Sequence, residues 1–424
     1  MPKRLIHSCF TFIPVLLAVL LFTSCQHAEK AEFTCTDTLG CVSIAPGKDL
    51  QLGVLQALSG GVAPLGQAQL RGFELALEEK QGKILGHPIK LQIEDTGCTA
   101  EGGANAALKI IAEPQTVAIF GTTCSGAAAT ASKAMSAAGL TMISGNNSAP
   151  FLTSIAGRAA PDWQSGYFRT SSNEERAGHV AAEYAYKKLG IRSAAVINDG
   201  DIYTRGLTES FKMGFEKLGG SIVLYTAINK GDLEMRPVLQ AVIDSGADLL
   251  FFPLFQPEGN IILKQARIME EFDDILLMSD GALIQESFLS DVGDLAQGMY
   301  FIGPAKPAGS AVDDVAERYL AKYQEAPTVS YYLSGYDAAG LLLCAIEDIA
   351  VQEDDGSLHI GRQALRDRLY SLTGFAGVTG SLSCNQFGDC AEPAFNVLRL
   401  DDPNSGLKGL ERNIVYSSNH SQQQ

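Results

Sequence analysis

Polar side chains follow several strand candidates in this sequence at the points where those strands end. Ser125 comes after the apolar run Val117–Phe120, Ser148 comes after Leu140–Ile143, and a later strand candidate is followed by Asp280. Hydroxyl groups and the free N–H groups at helix N-termini hold a carboxylate, whereas a carboxylate holds an ammonium group. The first half of the chain offers hydroxyls and amides, and the second half offers one acid and aromatic rings. This division favours binding of a zwitterion.

The strands that must position these residues alternate with helical patterns along the chain. The strand candidates are short apolar runs bounded by Gly, Asp or Ser, namely Leu50–Leu55, Ile89–Glu94, Val117–Phe120, Leu140–Ile143, Ala194–Asn198, Ile222–Ala227, Leu249–Pro253 and Ile275–Ser279. Such alternation is typical of parallel sheets covered by helices on both faces, in which ligands bind beyond the carboxyl ends of the strands. Because the strands are too many for one modest sheet, the sequence predicts an α/β fold of two doubly wound parallel-sheet lobes.

The predicted division of the chain has a break near Tyr167–Ser172, where the first series of strands ends. Residues 49–169 and 305–378 are assigned to lobe 1, and residues 170–304 and 379–412 to lobe 2. Residues 25–48 are predicted to be a tether. Residues 413–424 are predicted to be a disordered tail, because they are polar and terminal.

Composition and charge restrict the class of function. The chain has 424 residues, of which 46% are hydrophobic, so it is too apolar to be disordered. It carries 32 Lys and Arg against 48 Asp and Glu, a formal charge of -16, which argues against a nucleic-acid surface. Dinucleotide, P-loop, nucleophile-elbow and zinc-protease motifs are all missing from the sequence. We therefore expect a binding protein without metal or cofactor, and not an enzyme.

The N-terminus has the layout of a secretory signal. Lys3 and Arg4 precede the apolar run Leu5–Phe22, which is short for a spanning helix. Thr23-Ser24-Cys25 then resembles a bacterial lipobox, in which Cys25 receives lipid and becomes the mature N-terminus after residues 1–24 are removed. A plain signal peptide or an uncleaved anchor is the alternative. We expect a lipoprotein in the periplasm or on the outer face of the cell.

The cysteines also indicate export. Two pairs are close in sequence, Cys35 with Cys41 and Cys384 with Cys390. In a third pair, Cys98 and Cys124 each come just after one of two successive strand candidates. Paired cysteines are typical of an oxidising compartment. A metal site is the rival interpretation, but no Cys-x-x-Cys occurs in the sequence. Cys344 falls in an apolar helical pattern, which predicts a buried free thiol.

Several short motifs occur in a recognisable order. They are Gly53-Val54-Leu55 with Ser59-Gly60 and Gly66, Glu94-Asp95 with Cys98, Gly121-x-x-Cys124-Ser125, Ser148-Ala149-Pro150, Phe168-Arg169-Thr170, Gln265-Ala266-Arg267 and Gly335-Tyr336-Asp337-Ala338. With them, the chain from about Asp49 to Leu400 resembles the Leu/Ile/Val-binding family of periplasmic substrate-binding proteins, which serve ABC-type importers of branched-chain amino acids. The resemblance implies the type I periplasmic binding protein fold, with three crossover strands as a hinge near Arg169–Ser171, Ile302–Lys306 and Val378–Ser381. It also implies a Cys98–Cys124 disulfide.

The resemblance implies a set of ligand-binding residues. Ser125 and Ser148 match positions that hold the ligand α-carboxylate, and Asn146 matches one that offers a backbone carbonyl to the ammonium. The other implied contacts are Asp280 to the ammonium, Tyr203 and Tyr336 closing over the ligand, and Leu65, Thr123 and Phe255 around it. Asp280 stands where the family often has the longer Glu. Phe255 stands where the family commonly has an aromatic residue with a hydroxyl, so one polar contact is lost. Asn147 is also expected to contact the ligand. Asn146-Asn147 replaces smaller apolar residues, which puts a strictly aliphatic specificity in doubt.

Each of these residues also has a structural interpretation. Ser125 and Ser148 could be helix N-caps, a position that Ser favours. Tyr203 and Tyr336 could be ordinary packing between lobes, and Asp280 before a glycine could belong to a turn.

The functional expectation is a solute-binding lipoprotein that captures a branched-chain or other small aliphatic or polar amino acid. Its expected partners are the permease subunits of an ABC transporter and the membrane through the N-terminal lipid, with no nucleic acid, and the protein is expected to be a monomer. A ligand-sensing receptor for an amino acid, amide or urea-like solute is the alternative.

Overall fold

The structure is a computed structural model that describes residues 33–418. The predicted signal peptide and the predicted lipidation site Cys25 lie outside the described residues. Up to residue 169, strands alternate with helices. The strands are β1 (Cys41–Ile44), β2 (Leu50–Gln56), β3 (Lys83–Ile84), β4 (His87–Asp95), β5 (Thr116–Gly121), β6 (Thr141–Ser144), β7 (Ser154–Ile155), β8 (Arg158–Ala159) and β9 (Tyr167–Arg169). The helices are α1 (Ala63–Glu79), α2 (Ala100–Ile111) and α3 (Ser125–Ala137), with a 3-10 turn at Pro150–Leu152.

The middle of the chain repeats this alternation. Its strands are β10 (Ser193–Asn198), β11 (Ser221–Ala227), β12 (Leu249–Phe251), β13 (Leu276–Asp280) and β14 (Tyr300–Pro304). Its helices are α4 (Glu175–Lys187), α5 (Ile202–Lys217), α6 (Arg236–Asp244), α7 (Glu258–Ala266) and α8 (Glu286–Val292), with 3-10 turns at Glu270–Phe272, Gly281–Leu283 and Gly293–Ala296. The strands that the sequence predicted in both series agree with the observed ones to within a couple of residues.

The last part of the chain contributes to both lobes. Its strands are β15 (Val351–Gln352), β16 (Leu358–Gly361), β17 (Phe375–Gly377), β18 (Gly380–Leu382), β19 (Phe395–Arg399) and β20 (Ile414–Ser417). Its helices are α9 (Ser310–Tyr323), α10 (Tyr332–Ile349), α11 (Arg362–Tyr370) and α12 (Gly406–Arg412), with a 3-10 turn at Pro403–Ser405. Helices α9 and α10 pack on α1 and so belong to lobe 1.

Each lobe is built on one sheet. The order in lobe 1 is β3-β4-β2-β5-β6-β9, parallel except for the pair β3 and β4. The order in lobe 2 is β11-β10-β12-β13-β14-β19-β20, in which β19 and β20 are antiparallel. The predicted α/β fold of two lobes is confirmed, although each sheet includes antiparallel strands at one edge. Parallel strands end at a common edge, so the polar segments after them are brought together.

Buried aromatic residues join the sheets to their helices. In lobe 1, Phe73 of α1 lies 4.6 Å from Phe120 of β5 between ring centroids, and both are fully buried. In lobe 2, Phe211 of α5 stacks on Phe251 of β12 at 4.7 Å. Buried rings contribute large apolar areas, and close aromatic pairs add to this. These contacts fix the strand ends that carry the polar segments.

Three crossings connect the lobes, and the third differs from its predicted place. The first follows β9 at residues 170–174, the second follows β14, and the third runs through residues 391–394. The prediction of a crossing at Val378–Ser381 is wrong, because the carboxylate of Asp337 on α10 accepts hydrogen bonds from the N–H groups of Val378 and Thr379, at 2.8 Å each. Residues 375–390 therefore remain with lobe 1, and its predicted end at residue 378 is too early.

Two terminal segments are more ordered than predicted. Strand β1, inside the predicted tether, pairs antiparallel with β16, and its residues Val42 and Ile44 are buried. Strand β20, inside the predicted disordered tail, pairs with β19 at the edge of the second sheet. Both predictions are wrong for these residues. The partner of β1 is β16, which lies far away in sequence, and the partner of β20 is β19, which lies outside the predicted tail. No local pattern therefore indicated either pairing.

Disulfides join Cys98 to Cys124 and Cys384 to Cys390, as predicted. Cys35 and Cys41 are each disulfide-bonded as well, and their pairing with each other stays a prediction. Cys344 on α10 is a free, half-buried thiol. In the described part of the chain, every helix is too short or too polar to cross a bilayer.

Candidate functional site

Segments that follow strand ends of both lobes meet at a narrow cavity of about 20 Å³, which we call the interlobe cavity. Lobe 1 contributes the residues after β2, β5 and β6, and lobe 2 those after β10, β12 and β13. The lining residues are Leu65, Thr123, Ser125, Asn146, Ser148, Tyr203, Phe255, Ala282 and Tyr331. Seven of these were predicted from the sequence: Leu65, Thr123, Ser125, Asn146, Ser148, Tyr203 and Phe255.

The hydroxyl of Ser125 lies at the first residue of α3. The N-cap position of this helix is Cys124 and has no side-chain hydrogen bond to the helix, so Ser125 is not acting as a cap. Its Oγ accepts a hydrogen bond from the N–H of Ala149 at 3.3 Å, which leaves its own proton available. The free N–H groups of the first turn of α3 lie beside it. This end of the cavity is suited to a carboxylate.

Two neighbouring side chains stiffen this wall. Thr123 donates to Oε1 of Gln56 at 2.6 Å and accepts from the N–H of Ala57 at 2.9 Å. Asn146 donates from Nδ2 to the carbonyl of Thr123 at 3.0 Å. Because these contacts hold both side chains, the wall is formed before any ligand arrives.

Asn147 is not part of the cavity wall, contrary to the sequence prediction. It is completely buried, and its Oδ1 accepts from the N–H of Thr122 and the hydroxyl of Tyr167, at 3.1 Å each. Asn146 and Asn147 are consecutive, so their side chains leave the backbone in different directions. Only the first faces the cavity, and the second holds β5 and β9 together.

The aromatic wall comes from lobe 2 and from the start of α10. Tyr203 and Phe255 lie 5.0 Å apart between ring centroids. Tyr331, just before α10, completes this wall. Tyr336, which the resemblance implied, is absent from it, because its hydroxyl donates to Glu79 of α1 and the guanidinium of Arg318 lies 5.7 Å from its ring centroid.

Asp280 lies beside the interlobe cavity and not in its wall. It is 1% exposed, and its Oδ2 accepts a hydrogen bond from the hydroxyl of Tyr203, which does line the cavity. Burial raises the pKa of Asp280 to about 7, although its hydrogen bonds act in the opposite direction. The proton of the Tyr203 hydroxyl is directed to Asp280, so the lone pairs of this hydroxyl face the cavity.

A second buried acid, Glu174, was missed by sequence reasoning. It precedes α4, is 5% exposed, and its Oε2 accepts from the hydroxyl of Ser148 at 2.7 Å. Burial raises its pKa to about 8, and the nearby carboxylate of Asp280 adds to the rise. Among residues 33–418, neither acid has an ion-pair partner. Glu174 lies just beyond the carboxyl end of β9. If the short segment Tyr167–Arg169 had been predicted as a strand, Glu174 would have been a candidate site residue.

The chain is similar to amino-acid-binding proteins along most of its length. It is 26% identical over 378 residues to "Leu/Ile/Val-binding protein homolog 3" of Brucella melitensis, covering 88% of this chain and 96% of the relative. The fold matches the branched-chain amino acid transporter substrate-binding protein LivJ of Streptococcus pneumoniae, solved in complex with isoleucine. That match has a TM-score of 0.70 and 21% identity, and covers 87% of this chain and 98% of the other.

The same fold occurs with a different ligand in another solved structure. The solute-binding protein of an ABC transporter from R. palustris, in complex with benzoate, matches with a TM-score of 0.70 and 21% identity, covering 83% of this chain and 93% of that one. A model of the family described as periplasmic binding protein matches residues 49–396, which include both lobes and all three crossings. The chain therefore belongs to the periplasmic binding protein family.

Proposed function

We propose that this protein is an extracytoplasmic solute-binding lipoprotein that captures a free α-amino acid and delivers it to an ABC importer. The observation that carries the proposal is that Ser125 from lobe 1 and Tyr203 from lobe 2 line one cavity, with Asp280 bonded to the Tyr203 hydroxyl from behind. Hydroxyl and N–H donors on one side and an acid on the other match the two charges of a zwitterion. The similarity to Leu/Ile/Val-binding proteins supports the same conclusion.

The carboxylate of the ligand is held at the N-terminus of α3. The hydroxyl of Ser125 donates to it, and the free N–H groups of the first helical turn add their positive field. Hydrogen bonds that involve an ionised group contribute about 1.5–3 kcal/mol each. The buried position of Ser125, which is 2% exposed, keeps competing water away.

The ammonium group of the ligand is held at the opposite wall. It donates to the hydroxyl of Tyr203, whose lone pairs face the cavity because its proton goes to Asp280. The carboxylate of Asp280 stabilises the positive charge from behind this hydroxyl. A buried acid with a raised pKa and no ion-pair partner among residues 33–418 gains most from a cation.

Capture and delivery depend on the closing of the two lobes over the ligand. A closed cleft presents a surface that a permease can distinguish from the open form, so occupancy is converted into recognition. We infer that Cys25 carries lipid and anchors a monomer at the periplasmic or outer face of the cell membrane. The family consists of binding proteins, and this site holds a solute without converting it.

Calorimetry on ligand-stripped, refolded protein tests this function. We expect at least one of the twenty standard amino acids to bind, and mass spectrometry of material released from fresh protein to identify it. Ser125→Ala should weaken binding about tenfold or more, because a hydrogen bond to the ligand charge is lost. Ser132→Ala is the matched control, since Ser132 is buried in the same helix and donates to the carbonyl of Ala129.

Benzoate belongs in the same panel because the R. palustris protein holds it in this fold. If benzoate binds and no amino acid does, the zwitterion proposal is wrong. The same conclusion follows if Asp280→Asn leaves the affinity for the amino acid unchanged.

A further inference from the structure

A second cavity, which we call the rear cavity, lies next to the interlobe cavity on the side of the three crossings. Its volume is about 360 Å³, against about 20 Å³ for the interlobe cavity. All three crossings contribute to its walls, through residues 170–174, 304–307 and 391–395. Asn146, Ser148 and Tyr331 line both cavities. A ligand whose charged ends occupy the interlobe cavity therefore has space for a side chain on this side.

Four hydroxyls in the wall of the rear cavity donate their protons to carbonyl groups. Thr170 donates to the carbonyl of Ser334 at 2.8 Å, and Ser334 donates to that of Tyr331 at 3.0 Å. Ser171 donates to the carbonyl of Asn147, and Ser172 to that of Glu392. A hydroxyl has one proton and two lone pairs, so a hydroxyl that donates to a carbonyl group is still able to accept a hydrogen bond.

Two titratable residues in the wall of the rear cavity, Glu174 and Lys306, differ in burial. Glu174 lines the cavity and is 5% exposed, with its Oε2 bonded to the hydroxyl of Ser148. Lys306, at the exposed rim, already forms an ion pair with Glu411. Glu174 is thus the buried acid in a wall that also includes apolar residues such as Leu333 and Phe395. A donor group placed against Glu174 gains a hydrogen bond that an aliphatic side chain cannot make.

We propose that the protein selects amino acids with long side chains that end in hydrogen-bond donors, and that this end lies in the rear cavity against Glu174. Amide, ureido, guanidinium and amino groups all meet the requirement. The inference rests on the proposed function, because the α-carboxylate and α-ammonium must be held in the interlobe cavity. It narrows the proposed substrate class from α-amino acids in general to those with donor-bearing side chains. The solved LivJ complex, in contrast, holds isoleucine.

Calorimetry with a graded set of ligands tests this selection. L-alanine, L-valine, L-glutamine and L-arginine share the zwitterion and differ in the side chain. We expect glutamine or arginine to bind at least about tenfold more tightly than valine, since one hydrogen bond to the carboxyl group of Glu174 accounts for such a factor. Tighter binding of valine than of both donor-bearing ligands overturns the inference. Binding of none of the four also overturns the inference, whereas the proposed function fails only if none of the twenty standard amino acids binds, which separates the two failures.

Filling the rear cavity gives a second test. Ala305→Phe and Ala391→Phe each place a ring in the cavity from a different wall, because both alanines line it. Ala308→Phe is the matched control, since Ala308 is exposed and is not part of the lining. We expect both filled variants to lose affinity for glutamine or arginine about tenfold, with alanine binding and thermal unfolding unchanged. An equal loss for alanine, or no loss for any ligand, would show that side chains do not enter the cavity.

Discussion

Ser148 and Glu174 are joined by two hydrogen bonds, one between side chains and one between backbones. The hydroxyl of Ser148 donates to Oε2 of Glu174 at 2.7 Å, and the N–H of Glu174 donates to the carbonyl of Ser148 at 3.0 Å. Ser148 follows β6 in lobe 1, and Glu174 stands at the end of the first crossing. The acid thus decides which way the Ser148 proton points. As a result, Ser148 offers lone pairs to the cavity, and the ligand carboxylate depends on Ser125.

Replacement of Glu174 by Gln should reverse the polarity of Ser148. The amide of Gln donates to the hydroxyl, whose proton then turns toward the cavity. We expect Glu174→Gln to weaken binding of arginine or glutamine about tenfold or more and to change alanine binding little. Glu392→Gln is the control, because Glu392 lines the same cavity and is exposed. Calorimetry measures both, and an equal loss for all ligands would contradict the assigned role.

The two buried acids should make the free energy of unfolding depend on pH. Burial raises the pKa of Glu174 to about 8 and that of Asp280 to about 7, whereas carboxyls in unfolded chains titrate near 4. Between these values the folded state binds more protons, so stability falls as pH rises from about 4 to about 8. Urea denaturation across this range should show a flatter profile for the double variant Glu174→Gln, Asp280→Asn. An unchanged profile would mean that the acids are not buried as described.

Much of the site could be predicted because strand ends are local features of sequence. The apolar segments that form β5 and β6 are bounded by turn residues. Because parallel strands end at the same edge of a sheet, the polar residues that follow them were expected to lie together at that edge. Ser125 and Ser148 were found in this way. The resemblance supplied Leu65 and Thr123, which the strand pattern alone did not single out.

The wrong predictions have two physical causes. Some depended on the direction in which a side chain points, and others on pairing between segments that are distant in sequence. Tyr331 and Tyr336 are five residues apart at the start of α10, and a helix turns 100° per residue, so they point to different faces. Glu174 lies just before α4. An acid at the start of a helix is ordinarily explained by its favourable interaction with the helix dipole, so the sequence alone does not single out Glu174 as a site residue. Strand β1 pairs with β16 more than three hundred residues away, and no local pattern indicates such a partner.

A buried ion pair holds the hinge together, and its removal should destabilise the protein. Nε of Arg169 in β9 lies 2.6 Å from Oδ1 of Asp389 beside the third crossing, and the Arg169 side chain is fully buried. Asp389→Ala leaves that charge without a partner, which costs about 3–5 kcal/mol. Asp294→Ala, at an exposed acid, is the control. Urea denaturation measures the loss, and a change below about 1 kcal/mol would contradict the importance of the pair.

The close approach of the two lobes depends on a glycine at the cleft. A Cβ added to Gly61 of lobe 1 would lie 2.9 Å from the backbone oxygen of Gln256 in lobe 2, and backbone cannot move aside as a flexible side chain can. We expect Gly61→Ala to weaken binding of every amino acid about tenfold or more by hindering closure. Gln67→Ala, at an exposed position of α1, is the control.

The same variant should fold normally, because Gly61 is exposed and its backbone is not in the left-handed region. Replacement of such a glycine stabilises a chain by up to about 1 kcal/mol by restricting the unfolded state. Small-angle scattering with saturating ligand then measures the radius of gyration. We expect compaction on binding in the native protein and a smaller compaction in Gly61→Ala. Full compaction and native affinity in this variant would show that Gly61 and Gln256 separate in the bound form, because the added methyl group cannot fit between them otherwise.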